Sequence, residues 1–126
     1  MRVSTPVLVV SDATNPTAPL AMAGTQYSVP LRCGAGSKVS FHGDFTGTLT
    51  TAVTVWTTNR PKRERIVETT DADWVQETAI VVSPVPGGAA TKFMLHLADL
   101  ASEEVRLKFV TSGGTGNGKV WGRVGE

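Results

Sequence analysis

The sequence predicts an all-β protein, an antiparallel β-sandwich or barrel, on three observations. Its apolar segments are short and alternate with period two, the pattern of strands that bury one face. Its 13 glycines and 7 prolines are spread along the whole chain, so turns interrupt it throughout. No stretch keeps a helical period over a useful length. A chain of 126 residues corresponds to one domain, large enough to build a core without disulfide staples. Charged residues make up only 18%, low for a solvated helical protein and ordinary for a β-rich one.

The opening segment, MRVSTPVLVVSDATNP, carries a candidate strand at 3–10. Its apolar run of four is bounded by Pro6 and Asp12. A signal peptide needs an apolar run of roughly 7–15 residues and a membrane span about 20, so a soluble, unexported protein is expected. Three prolines and several small residues make 1–24 an expected extended N-terminal arm or edge strand, with the sandwich proper at 25–126. YSVPLRC (27–33) is the next candidate strand. It ends on Cys33, the single cysteine, which can form no internal disulfide and is expected to be a small buried hydrophobe.

In SFHGDF (40–45) Phe41, Gly43 and Phe45 alternate with His42 and Asp44. TAVTVWTT (51–58) is almost entirely β-branched or aromatic. Segments 66–69 and 79–83 are further candidates. KFMLHL (92–97) sets Phe93, Leu95 and Leu97 against Lys92, Met94 and His96. LADLASEE (97–104) is the best helical candidate, one turn capped by Asp99 or Ser102. VRLKFV (105–110) sets Val105, Leu107 and Phe109 against Arg106 and Lys108, and 119–124 completes the set. Short strands separated by glycine and proline turns at roughly ten-residue spacing point to a sandwich or barrel.

GGTGNGKV (113–120) approaches the spacing of a nucleotide-binding phosphate loop. That motif needs a Ser or Thr after its lysine, to hold Mg²⁺, and a helix behind it, to cradle the phosphates. Here the next residue is Val120, and VWGRVGE alternates like a strand. The expected structure is therefore a hairpin between the last two strands, with glycines supplying positive φ.

No other pattern points to catalysis. His42 and His96 lie on different strands, both on the expected outward face, where a solvated or subunit-facing role is expected. No serine sits in a G-x-S-x-G elbow, and the acid pairs Asp71/Asp73 and Glu103/Glu104 fall in turn-like contexts. The chain is read as a non-enzyme without cofactor or metal.

A net charge of +1 makes the whole chain a poor polyanion binder. Its strongest charge cluster is RPKRER, with Arg60, Lys62, Arg63 and Arg65 between two strands. It reads either as a loop that docks an acidic surface or as a solvated loop balanced by Glu64, Glu68, Asp71 and Asp73. No aromatic residues interleave with the cations, so nucleic acid is an unlikely partner. Trp56, Trp74 and Trp121 could line a sugar-binding face if exposed and coplanar. Each also sits among β-forming residues, where a core or interface side chain is expected.

The order SFHGDFTGTLTTAVTVWTTNRP, DADWVQE, AIVVSPVPGGAATKFMLHLADL, EEVRLKFVTSGGTGNGKVWGRV resembles a family of small virion proteins of tailed bacteriophages. In those chains a strand near F-T-G-T-L leads into one that closes on an S/T-N turn. A tryptophan-valine strand follows, and the end has the form V-R-L-K-F/Y-x-x-S-G-T-G. The likeness covers 37–125 and implies a jelly-roll-like sandwich. It implies a structural role in the virion, which assembles in the host bacterial cytoplasm: capsid decoration (cement), head fibre or tail. The implied partners are the major capsid protein or other virion proteins, with a homo-oligomer, dimer or trimer, matching the shell's local symmetry. The RPKRER loop and the proline-broken N-terminus depart from the pattern. Val7, Leu8, Val9 and Val10 are candidates for pairing with a neighbour's exposed sheet edge. The alternative is a carbohydrate-binding sandwich or a tail-fibre adhesin.

Overall fold

The structure, a computed structural model, describes residues 6–12, 14–15, 17–34, 37–60, 71–78, 91–100 and 102–125, the side chains of 91 and 99 excepted. Those residues form ten strands and no helix. They are β1 (Val7–Val10), β2 (Leu20–Ala21), β3 (Thr25–Tyr27), β4 (Leu31–Arg32), β5 (Ser37–Phe45), β6 (Thr50–Thr58), β7 (Val75–Gln76), β8 (Thr91–Leu100), β9 (Glu104–Gly113) and β10 (Asn117–Gly125). The candidate strands at 66–69 and 79–83 lie outside the described residues.

All pairings are antiparallel. The front sheet has the order β1-β10-β5-β8, with β2 beside β1 on the same edge of β10. The back sheet has the order β3-β9-β6-β7, with β4 also on β9. The chain is thus an antiparallel β-sandwich. Period-two alternation supplies its core: Val39, Phe41, Phe45, Leu97 and Val120 point inward from the front sheet. Val53, Val55, Val105, Leu107 and Phe109 meet them from the back. Phe45 joins the two layers, its ring 5.9 Å from that of Phe109 and stacked on Phe93 at 5.7 Å.

The pairing register shifts at three places, one of them between Thr50 and Thr51 where β6 meets β9; the other two bear on the sequence reading. In β1, Leu8 pairs with Trp121 and Val10 with Val120, so two residues of β1 stand against one of β10. The extra residue turns both Val9 and Val10 into the core, where each is at most 3% exposed. The N-terminal segment therefore enters the sandwich: β1 is an edge strand and Met22 is a core residue. In β8, Leu97 pairs with Val39 and Leu100 with Ser37, three steps against two. This bulge explains the one expectation of a helix. The apolar spacing of Leu97 and Leu100 comes from a strand with one extra residue. In the segment expected to form a helical turn, 97–100 are strand, 102–103 a bend and 104 strand again.

The candidate strand at 27–33 divides into β3 and β4 around Pro30, which has no N–H to give to a ladder. Between them Ser28 keeps the backbone attached to β9. Its N–H donates to the Leu107 carbonyl, and its hydroxyl accepts from the Leu107 N–H.

The last connection is no hairpin. β9 belongs to the back sheet and β10 to the front, so 114–116 arches from one layer to the other. A second arch, 46–49, carries β5 into β6 beside it. The two lie backbone to backbone: the N–H groups of Thr46 and Thr48 donate to the carbonyls of Asn117 and Thr115 at 2.9 and 2.8 Å. Glycine is required for that approach. Gly47 and Gly114 have φ of 88° and 75°, in the left-handed region that side chains avoid. A Cβ on Gly114 or Gly116 would fall on the carbonyl oxygen of Thr48 or Thr46. Leu49, 1% exposed, closes the core beneath both arches.

Candidate functional site

The alternation that fills the core fixes what faces solvent on the front sheet. The pairing register brings outward residues into rows across it. Leu8, Trp121, His42 and Met94 form one row, from β1 through β10 and β5 to β8. Lys119, Asp44 and Lys92 form the row on one side of it, and Arg123, Ser40 and His96 the row on the other. Both histidines therefore lie on one face, as their strand positions predict.

Contacts hold this face in place. The Trp121 ring meets His42 edge-on at 5.5 Å. The His42 Nε2 lies 2.8 Å from the Asp44 carboxylate, and Lys92 lies 3.7 Å from the same oxygen. On the other side Lys119 Nζ stands 5.3 Å from the Trp121 ring centre. Lys119 is fixed by donating to the Thr17 carbonyl at 2.7 Å. That carbonyl is placed by a turn in which Asp12 accepts from the Thr14 hydroxyl and from the amides of Thr14 and Asn15. These bonds hold the Asp12 carboxyl below its ordinary range. Among these residues runs a groove of about 630 Å³, lined by Pro6, Ser40, His42, Asp44, Met94 and Trp121 and ending at Arg123. A second hollow, of about 280 Å³, continues past Ser40 and Arg123 to Lys38 and His96.

The back sheet carries a different construction. Arg106 points away from the core, as the alternation of VRLKFV predicts, yet it is 1% exposed. Its guanidinium lies between the rings of Tyr27 and Trp74, 4.2 Å from each centre. Asp71 reaches Arg106 at 3.6 Å and forms an ion pair with Lys108. Lys108 in turn lies 5.1 Å from the Trp56 ring. The segment from Asp71 to Glu77 thus folds over the back sheet and is held there by stacked cations. Sequence reasoning missed this cluster. The adjacent DAD and W of DADWVQE were its only visible trace.

The predicted contact residues are placed as follows. Val7 is 49% exposed and Leu8 half-buried, whereas Val9 and Val10 belong to the core. Arg60 forms an ion pair at 2.7 Å with Asp73, whose side chain is 1% exposed. Thr58 Oγ1 donates to the Asp73 carbonyl and accepts from the Arg60 N–H, so the start of the basic loop is tied to Asp73. Lys62, Arg63 and Arg65 lie outside the described residues. Asp71 and Asp73, read as balancing that loop, are engaged by Lys108, Arg106 and Arg60. The tryptophans divide between the sheets: Trp121 faces out in front, Trp56 faces out behind, and Trp74 is buried at the back. They form no shared aromatic platform.

Cys33 is half-buried and donates to the Ser102 carbonyl at 3.1 Å. Burial, and then the Glu103 carboxylate, push its thiol above the ordinary 9.0. Two results are expected. Iodoacetamide alkylates the folded protein at pH 8 more slowly than it alkylates free cysteine, and urea abolishes the difference. Because folding raises this pKa, the thiol's contribution to stability is complete below the unfolded value and is lost as pH rises through the raised folded value. Equal alkylation rates in folded and unfolded protein would contradict this environment.

Among the described residues no three His, Cys, Asp or Glu side chains are grouped to hold a metal. No protein-family model matches the chain, and a search of curated proteins finds no relative.

Proposed function

We propose that this protein is a structural component of a tailed-bacteriophage virion, a decoration protein that binds the outer shell of the head and stabilises it. The strand order supports a jelly roll. The chain passes repeatedly between two four-strand paths, β1-β10-β5-β8 and β3-β9-β6-β7, as an eight-stranded double Greek key does. A decoration protein works by mass action: it binds the assembled shell and not the dispersed subunits, and so raises the cost of disassembly. Such a role calls for a stiff body with a broad adhesive surface.

The observation that carries this reading is the front face. Met94 is 56% exposed there, in one row with Trp121 and the half-buried Leu8, and a border of cations flanks the row. An apolar centre with a charged rim is the anatomy of a protein interface. The exposed end of β1, Val7 and Leu8, is the part of the N-terminal segment that reaches a neighbour; Val9 and Val10 hold β1 to the core.

The test uses empty heads of the phage that encodes the protein. The native protein is expected to have the mass of a dimer or trimer and to sediment with heads. Decorated heads should survive heating that opens bare ones. Met94→Asp, an exposed change, should abolish sedimentation and leave the melting temperature of the free protein unchanged. A protein that never sediments with heads overturns the reading.

A further inference from the structure

We infer that the groove on the front sheet is a binding site for an acidic glycan, with Trp121 as the stacking platform. The first observation is local charge. Among the described side chains of this face, Lys38, Lys92, Lys119 and Arg123 meet a single carboxylate, Asp44, although the whole chain carries only +1. Asp44 is shared by His42 and Lys92. Lys119 is engaged with Thr17 and Trp121. No carboxylate among the described residues pairs with Lys38 or Arg123, and these two cations line the second hollow with His96. The face therefore attracts anions at the Arg123 end.

The second observation is the chemistry of the other end. Trp121 lines the groove, its ring in edge contact with His42 and 5.3 Å from Lys119 Nζ. A preset indole offers an apolar face to the C–H side of a pyranose ring, with little ordering left to do on binding. Asp44 and Ser40, which flank it in the groove, accept hydrogen bonds from sugar hydroxyls. The two hollows meet at Ser40 and Arg123, so a linear chain can lie with one ring on Trp121 and an anionic substituent on Arg123 or Lys38.

The same features argue against a nucleic acid. A single-stranded nucleic acid needs successive aromatic platforms, and the other two tryptophans are on the opposite sheet.

The glycan and the proposed capsid contact would share this face and so compete for it; the test uses the free full-length chain, so a failure to bind glycan is read separately from a failure to sediment with heads. The free full-length chain is titrated by isothermal calorimetry with an oligogalacturonate, a heparin fragment, a neutral cello-oligosaccharide and an oligo-dT at one moderate ionic strength. Binding of the oligogalacturonate or the heparin fragment is expected, with at least tenfold weaker binding of the neutral sugar and of oligo-dT. Arg123→Gln, at an exposed position, should weaken acidic-glycan binding about tenfold and leave neutral-sugar binding unchanged. Trp121→Ala should remove binding. In case that variant folds poorly, Trp121→Phe, which keeps a ring, should retain part of it. Trp56→Phe, on the other sheet, should change nothing. The inference is overturned if neither acidic glycan binds, if the neutral sugar binds as well, if oligo-dT binds more tightly, or if Arg123→Gln has no effect.

Discussion

Gly114→Ala is expected to destabilise the sandwich by about 3 kcal/mol and to lower its melting temperature by roughly 10 °C. Two costs combine. Gly114 has φ of 75°, and a side chain in that region costs about 1–2 kcal/mol. Its new Cβ would also fall on the Thr48 carbonyl oxygen. That atom is backbone, so no rotamer change can relieve the clash, and the two arches must part. Separation threatens the arch hydrogen bonds from Thr46 and Thr48 and uncovers Leu49. Gly113 is the control. It is the preceding residue, but a Cβ there meets nothing within 4 Å, so Gly113→Ala should change stability by less than about 0.5 kcal/mol. Equal effects at the two positions would contradict the paired-arch geometry. The same measurement addresses the phosphate-loop resemblance of this stretch: ATP or GTP with Mg²⁺ should leave the melting temperature unchanged.

Arg106→Ala is expected to cost about 3–5 kcal/mol, the penalty for breaking a buried charged cluster by removing one member. The guanidinium fills the space between Tyr27 and Trp74 and faces Asp71. Its loss leaves a cavity between two rings and removes a cation from beside Asp71. Arg106→Lys should recover little, because an ammonium lacks the planar surface that stacks on both rings. A readout local to the cluster separates this from general destabilisation. Trp74, 5% exposed, should become open to acrylamide quenching under conditions where the variant is still folded. A variant that is destabilised while Trp74 stays shielded would show that the segment Asp71 to Glu77 is held down by something other than Arg106.

The strands were legible wherever alternation is strict. SFHGDF, TAVTVWTT, KFMLHL and VRLKFV lie within β5, β6, β8 and β9 respectively, and the alternating faces read for SFHGDF, KFMLHL and VRLKFV are those of the structure. Alternation failed at the bulges, because one extra residue in β8 gives Leu97 and Leu100 the spacing of a helix. The final loop was misread for a different reason. Its glycines announce a tight turn, but whether the next strand pairs with the last one or joins the other sheet is decided by distant partners. Here Phe41 and Phe45, on the strand that β10 pairs with, draw β10 into the front layer.

The candidate site was legible in halves. Strand parity alone set His42, Asp44, Lys92, Met94 and His96 outward. That Trp121 lies beside His42 follows only from the register of β10 on β5. The Arg106 stack was invisible for the same reason: parity places Arg106 on an outer face, but not the segment that returns to cover it.

Electron microscopy of phage heads carrying the protein tests the decoration proposal most directly. The expected image shows two-layered β-sandwiches on the outside of the shell, gathered about its local symmetry axes, with Met94 and Trp121 turned toward the capsid or a neighbouring copy. Heads whose outer surface carries no such density, or particles in which the sandwich sits only at the tail, would contradict it.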